Sequence, residues 1–264
     1  MTQKQYDAII IGGGHNGLTC AAYLAKAGKK VLLLERRHLL GGAAVTEEIY
    51  PGFKFTVCSY VVSLLRPEVI RELELAKHGL HIMPYHTAFA PMEDGNYFAY
   101  YADAASTREE IKRHSRRDAD KYPEFNQMMY EMAFAVKPIL GMVPPDPANP
   151  GLSGLRTLQQ FGRHLQGLGQ DTFQQLTKIM TMSAVDFLDE WYETDILKAL
   201  AALNGIIGTM LGPHSPGTAY VLLHHYMGEL DGAFTGLGLA ERRHGRCQRS
   251  DCQCGSQLWG RDSL

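Results

Sequence analysis

The sequence contains no apolar run that reaches the roughly 18–20 residues of a membrane-spanning helix. Basic residues are not in excess either. There are 26 Lys and Arg against 28 Asp and Glu, and the formal net charge of −2 argues against a nucleic-acid-binding protein. Because neither a signal peptide nor an Arg- and Ser-rich transit peptide precedes the first strand-like run, we expect a cytoplasmic protein. In that compartment Cys20 and Cys58, two of only five cysteines, are expected to be reduced thiols.

A β-α-β pattern opens the chain. A short β-branched run at 6–11 predicts a buried parallel strand. Residues 16–27 predict a helix, with Gly28 placed where a C-terminal cap glycine belongs. A second buried strand is predicted at 31–34, and Glu35 follows it directly. The sequence therefore predicts a Rossmann-type unit at the start of the chain.

The glycines of this unit have the spacing of a dinucleotide site. Gly12, Gly14 and Gly17 form G-x-G-x-x-G between the first strand and the helix. In this motif the first glycine allows a tight turn, the second lets the backbone approach a pyrophosphate, and the third lets the helix pack closely. Glu35 can accept hydrogen bonds from ribose hydroxyls and would repel the 2′-phosphate of NADP. These residues alone leave open whether the nucleotide is NAD or FAD.

A second glycine pair, Gly41-Gly42, follows Glu35 after five residues. G-x-G-x-x-G, then Glu, then Gly-Gly resembles the extended flavin fingerprint of amine oxidases and phytoene desaturases. The chain resembles one branch of the phytoene desaturase-like group up to about residue 238. Beyond the glycine region, the segments that carry this resemblance are LLRPE (64–68), HGL (78–80), DEWYE (189–193) and PHSPGTAYVLLHHYMG (213–228).

The resemblance implies an FAD-dependent oxidoreductase that oxidises an apolar, carotenoid-like substrate by hydride transfer to flavin. It implies an α/β fold with a glutathione reductase-like FAD/ADP-binding unit at 1–66, and a mixed, then mainly helical, substrate domain at 67–238. It assigns no catalytic residue and no metal ligand. Besides the apolar substrate it allows contact with a membrane surface, and it leaves the oligomeric state open. The residues it assigns to FAD are Gly12, Gly13, Gly14, His15, Asn16, Gly17, Glu35, Arg36, Gly41, Gly42, Ala43 and Ala44.

The middle of the chain predicts a β-hairpin around Asp94-Gly95-Asn96, followed mainly by helices. Ser106 and Glu109 predict a capping box for the first of these helices. The later helices are predicted at 118–141, 152–168, 171–182, 184–192, 196–210 and 218–227.

Other candidates for chemistry in this region are weak. His224 and His225 are about 100° apart on a helix, which predicts one buried residue and one at the surface. Arg66 could anchor a substrate carboxylate or the flavin, or form a structural ion pair. The Met-rich stretch at 128–142 is interpreted as core.

The tail at 239–264 does not fit the family. It is rich in Arg, Ser, Gln and Cys and has no apolar periodicity, so we expect it to be disordered. Related sequences would carry Gly-Gly-Met-Gly-Ala here, and a shifted reading frame can turn such a segment into this tail. We therefore expect a truncated chain whose site for the flavin ring is incomplete. Cys247 and Cys252 have the spacing of a redox pair, but disulfide reductases place that pair soon after the first glycine motif.

Two alternatives to a flavin oxidoreductase follow from these patterns. The chain could be a non-catalytic fragment that keeps only the ADP-binding half of the site. It could also be an NAD-dependent dehydrogenase, although Gly41-Gly42 and the absence of continued β-α alternation count against that reading.

Overall fold

The computed structural model describes most of the chain, namely residues 5–59, 61–84, 87–146, 148, 151–230, 233–234 and 238–241. It divides into two compact units, residues 1–85 together with 229–264, and residues 86–228. The sequence placed the first boundary at 66/67 instead. Because 67–85 cluster with the nucleotide-type unit, the compact units do not follow that division, and the substrate role of the second unit stays a prediction.

The chain has the predicted α/β fold, with a second unit that is mainly helical. Its strands are β1 (Ala8–Ile11), β2 (Val31–Leu34), β3 (Thr46–Tyr50), β4 (Phe53–Thr56), β5 (His81–Pro84), β6 (Thr87–Pro91), β7 (Tyr97–Tyr101), β8 (Glu229–Leu230), β9 (Ala233–Phe234) and β10 (Gly238–Glu241). Its helices are α1 (His15–Lys26), α2 (Pro67–Glu72), α3 (Ala104–His114), α4 (Arg116–Leu140), α5 (Gly151–Gly167), α6 (Gln170–Thr181), α7 (Ala184–Asp189), α8 (Asp195–Leu203) and α9 (Thr218–His225).

The β-α-β unit predicted at the start of the chain is confirmed. Strands β1 and β2 are parallel, with Ala8 opposite Val31, and α1 connects them. Helix α1 ends at Lys26, and Gly28 follows as the predicted cap glycine with a φ of +79°, which suits glycine. The Gly28 and Lys29 N–H groups donate to the carbonyls of Ala25 and Leu24 at 2.8 and 3.0 Å, which forms a Schellman cap.

Strand β1 is not buried on both faces as predicted. Ile9 and Ile11 are 60% and 87% exposed, while Ala8 and Ile10 on the opposite face are partly covered. Side chains of a strand alternate between the two faces of the sheet. In the described part of the first unit β1 and β2 form a two-stranded sheet, and one of its faces remains open.

The start of the predicted tail is part of a strand. Residues 239–241 belong to β10, which pairs antiparallel with β5 so that Glu241 is opposite His81. The expectation of disorder is therefore wrong for these three residues. Residues 242–264, including the cysteines of the tail, lie outside the described residues.

In the second unit the predicted hairpin is present as β6 and β7, and the Asp94 carboxylate accepts the Asn96 N–H in its turn. The predicted capping box is not present. Asp103 caps α3 instead by accepting the Ser106 N–H at 2.7 Å, so the helix begins at Ala104. The core of this unit includes Phe98, Phe125, Met129, Phe187 and Leu222, each at most 2% exposed.

Helix α8 ends at Leu203 although the sequence predicted helix to residue 210. The chain turns at Gly205, where an added Cβ would lie 3.0 Å from the Thr218 carbonyl oxygen. Gly208 then adopts a φ of +79°, which is outside the helical range. Among the described residues, no helix combines the length and apolar character that crossing a membrane requires.

Candidate functional site

The turn between β1 and α1 is built from consecutive glycines. Gly12 has a φ of +109°, and its N–H donates to the Leu34 carbonyl at 2.8 Å, which ties the turn to the end of β2. Gly14 is the N-cap residue of α1 and provides no side-chain cap, and no acidic residue lies in the first turn of that helix. The first N–H groups of a helix lack intrahelical acceptors and favour an anion. This end of α1 is therefore suited to a phosphate.

The second glycine pair lies directly against this turn. The Gly41 N–H donates to the Gly13 carbonyl at 2.8 Å, and Gly14 and Gly41 form an isolated parallel β-bridge. A Cβ added to Gly42 would lie only 2.9 Å from the Gly14 Cα. Gly41 and Gly42 also have φ values of +124° and +56°. The two glycine segments thus form a continuous backbone surface without side chains.

Gly17 fixes the distance between α1 and the turn. A Cβ added to Gly17 would lie 2.1 Å from the Gly12 carbonyl oxygen and 3.4 Å from Cγ2 of Ile10. Only glycine allows the helix to approach the turn this closely, as the motif predicts.

Glu35 is held beside the glycine turn by backbone groups. Its carboxylate accepts the Gly13 N–H at 2.6 Å and the Arg37 N–H at 2.9 Å. Hydrogen bonds from the Arg37 and Gly13 backbones lower the pKa of the Glu35 carboxyl below its ordinary value. The side chain is partly exposed, and each carboxylate oxygen has further lone pairs for hydroxyl donors.

The other residues assigned by resemblance surround this turn. His15 and Asn16 are exposed in the first turn of α1, and Ala43 and Ala44 are exposed in a 3₁₀ turn, Gly42–Ala44. Arg36 is exposed next to Glu35. The structure therefore brings the twelve assigned residues together, while their contact with a cofactor stays a prediction.

The second unit contains a separate apolar cavity of about 410 Å³. Its rim includes Lys198, whose ammonium lies 2.8 Å from the Asp189 carboxylate and 3.2 Å from that of Asp195. The lining therefore combines these ion pairs with a majority of apolar side chains. The residues that line it are Val185, Leu188, Asp189, Asp195, Lys198, Ala199, Ala202, Leu203, Ile206 and Pro213.

The histidine pair does not divide into a buried and a surface residue as predicted, since both side chains are partly buried. Nδ1 of His225 lies 2.9 Å from the Val221 carbonyl oxygen. Nδ1 of His224 is buried without a partner in the described part of the chain, and burial lowers the pKa of this histidine.

The remaining candidates have structural roles. Arg66 forms an exposed ion pair with Glu68 at 3.3 Å. Met129 and Met132 are at most 2% exposed, so they belong to the core as predicted. Among the described residues, no group of three or more His, Cys, Asp and Glu side chains could hold a metal ion.

Asp118 was not identified as important from the sequence, although its contacts hold the end of the segment DEWYE (189–193) in place. Its fully buried carboxylate accepts the N–H groups of Glu193 and Thr194 at 3.0 and 2.9 Å, just before α8. The Glu193 carboxylate in turn accepts the Ser115 hydroxyl at 2.7 Å and pairs with Arg117 at 2.9 Å. A partner 75 residues away in sequence leaves no local signal.

Thr218 has the same kind of role in the segment PHSPGTAY. Its buried Oγ1 accepts the Ala184 N–H at 2.8 Å and donates to the Ser215 carbonyl at 2.7 Å. The loop before α9 is thereby fixed to the start of α7.

The family model described as an NAD(P)-binding Rossmann-like domain matches residues 10–73. Pyridine nucleotide-disulfide oxidoreductase domain-containing protein 2 of Rattus norvegicus is 42% identical over 250 residues, which are 87% of this chain and 42% of that protein. A limonene dehydrogenase component from Castellaniella defragrans is 42% identical over 134 residues, which are 48% of this chain and 24% of that protein.

Among solved structures, a putrescine oxidase mutant has a TM-score of 0.57 at 20% identity and covers 97% of this chain, which matches 49% of the oxidase. At this identity the likeness shows the fold. The chain spans about two fifths of the length of the rat relative. The resemblance predicted from the sequence is confirmed by this similarity to pyridine nucleotide-disulfide oxidoreductase domain-containing protein 2, which extends over 87% of the chain.

Proposed function

We propose that this chain binds FAD and serves an oxidoreductase that oxidises an apolar, carotenoid-like substrate by hydride transfer to flavin. The observation that carries the proposal is the approach of Gly42 to Gly14, where a Cβ would lie 2.9 Å from the opposite Cα. A surface free of side chains beside a helix N-terminus fits a pyrophosphate that must approach the backbone.

Each part of the site has a role in holding the nucleotide. The N–H groups at the start of α1 would bind the pyrophosphate, since Gly14 adds no competing side-chain cap and the first turn has no acid. Glu35 would accept the ribose hydroxyls with the lone pairs left after its two backbone contacts. Gly41 and Gly42 would let the cofactor extend past the turn.

The second glycine pair favours FAD over NAD. A plain nicotinamide site needs the first turn, the helix end and the ribose acid. The bridge between Gly14 and Gly41 is an addition to these parts. FAD, when bound, supplies the hydride acceptor. The protein's residues bind and orient it, and no catalytic side chain is assigned.

Two observations support an apolar substrate. The relative from Castellaniella is named as part of a limonene dehydrogenase, and limonene, like a carotenoid, is an isoprenoid hydrocarbon. The cavity in the second unit is lined mainly by apolar side chains, and its volume of about 410 Å³ is in the range of small-molecule sites.

The test is a titration of the purified chain with FAD, followed by flavin fluorescence and by absorbance at about 450 nm. We expect Gly42→Ala to weaken FAD binding at least tenfold, which corresponds to about 1.4 kcal/mol. Gly28→Ala is the matched control, because its φ of +79° is also positive but no heavy atom lies within 4 Å of the added Cβ. It should bind FAD like the wild type.

Each other outcome contradicts the proposal in a different way. A chain that binds NADH but not FAD would be a nicotinamide-dependent protein. A chain that binds neither would be a non-catalytic relative. If Gly42→Ala binds FAD as tightly as Gly28→Ala, the glycine approach does not form the site. Anaerobic bleaching of bound FAD by limonene or β-carotene tests the substrate class separately.

A further inference from the structure

We propose that the cavity in the second unit binds a small ligand that combines an apolar body with a protonated amine. The apolar part of the lining comes mainly from α7 and α8. Leu188 and Ala202 are buried, while Ala199 and Leu203 are exposed, so the cavity opens to solvent. Its volume of about 410 Å³ is sufficient for such a ligand. The inference goes beyond the proposed function, because binding at this cavity requires no flavin.

The cavity is maintained by small side chains and by backbone contacts. Ala199 and Ala202 are three residues apart on α8, and residues at that spacing lie on the same side of a helix. Their methyl groups leave space that larger side chains would fill. The Val185 N–H of α7 donates to the Pro213 carbonyl at 3.2 Å, and Oγ1 of Thr218 lies 3.2 Å from the same oxygen. The part of the lining formed by Pro213 is therefore fixed by the protein itself.

The charged residues of the lining leave one negative charge at the rim. Among the described residues that line the cavity, the charged ones are Asp189, Asp195 and Lys198. Lys198 contacts Oδ1 of each aspartate, and an ionised carboxylate has acceptor sites on both of its oxygens. The Lys198 side chain is 23% exposed, against 51% and 96% for the two aspartates. The carboxylates are therefore more accessible than the ammonium to a ligand that enters from solvent.

This arrangement distinguishes between ligands of the same length but different charge. An alkyl chain gains from burial against the apolar lining whatever its head group. An ammonium group at the rim is attracted by the excess negative charge, whereas a carboxylate is repelled by it. Because the rim is partly exposed, solvent screens both effects, and each should change the affinity by about threefold to fivefold. An alcohol of the same length should bind with intermediate affinity.

Equilibrium dialysis of the full chain against 1-octylamine, 1-octanol and octanoate tests the proposal at about pH 7, where an alkylamine is protonated. Octylamine should bind about threefold to fivefold more tightly than octanol, and octanoate less tightly than both, with or without FAD. Asp189→Asn combined with Asp195→Asn should reverse the order of octylamine and octanoate, because Lys198 then leaves a positive charge at the rim. Asp120→Asn with Asp171→Asn removes the same charge from exposed positions outside the cavity and should keep the wild-type order.

A second pair of variants tests the location of binding. Ala199→Leu adds volume at an exposed position of the lining and should weaken binding of all three ligands at least about fivefold. Ala105→Leu makes the same change at an exposed alanine of α3 and should bind like the wild type. Circular dichroism of each variant shows whether the fold is unchanged.

The proposal is wrong if octylamine does not bind, if octanol or octanoate binds as tightly, or if the aspartate variant keeps the wild-type order. It is also wrong if the two leucine variants bind octylamine equally. The FAD titration separates this inference from the proposed function. A chain that binds octylamine but no FAD would support the inference and contradict the proposed function, and the reverse result would contradict the inference alone.

Discussion

Gly17→Ala tests whether the close approach of α1 to the glycine turn matters for this protein. The added Cβ would lie 2.1 Å from the Gly12 carbonyl oxygen, about 1.3 Å less than the 3.4 Å at which ordinary contact begins. Overpacking of this kind costs about 1–3 kcal/mol, and the obstacle here is backbone that no rotamer change can move. The higher helix propensity of alanine stabilises the folded state by about 1 kcal/mol in the opposite direction. Because the backbone cannot move aside, we take the upper end of the overpacking range and expect a net loss of about 2 kcal/mol in the free energy of unfolding.

Gly162→Ala in α5 is the matched control, because it is also a glycine inside a helix and no heavy atom lies within 4 Å of its added Cβ. It should gain about 1 kcal/mol from helix propensity alone. The two substitutions should therefore shift the free energy of unfolding in opposite directions, as measured by urea denaturation. FAD titration should show weaker binding for Gly17→Ala only. A Gly17→Ala variant as stable as the wild type, with unchanged FAD affinity, would refute the assignment of this turn.

Two further predictions concern buried or backbone-bound carboxylates. Because the folded pKa of Glu35 is below the ordinary value of 4.5, its stabilising contribution is present above that pH and is lost as the pH falls through the folded pKa. Below pH 4.5 the free energy of unfolding, measured by urea denaturation, should therefore fall less with decreasing pH for Glu35→Gln than for the wild type. An equal fall for both proteins would contradict this. Asp118→Ala should reduce the free energy of unfolding by about 2–3 kcal/mol, because two N–H groups lose a charged acceptor. Asp120→Ala, whose side chain is 74% exposed, should change it by less than about 0.5 kcal/mol, and equal effects would contradict the role of Asp118.

The features that could be predicted from the sequence are those fixed by local stereochemistry. A positive φ and a Schellman cap require glycine at position 28, and the hairpin turn requires residues such as Asp94-Gly95. The same holds for Gly12 and Gly17, whose roles follow from spacing within one turn. These elements could be placed to within one or two residues.

The features that could not be predicted depend on contacts between distant segments. Strand β10 is assigned to the first unit by pairing with β5, more than 150 residues earlier in the chain. The exposure of Ile11 depends on which elements cover the sheet. The start of α3 was misplaced because Asp103 competed with Ser106 as the cap, and both are good N-cap residues.

The family segments of the second unit lead to a more specific conclusion about chemistry. DEWYE is fixed by Asp118, and the loop of PHSPGTAY is fixed by Thr218. Both contacts bind backbone N–H groups at the start of a helix, and neither side chain is free to act on a substrate. These two contacts give Asp118 and Thr218 a role in folding. Asp118 and Thr218 are therefore not candidates for an acid–base role in the proposed flavin chemistry, in which the cofactor accepts the hydride.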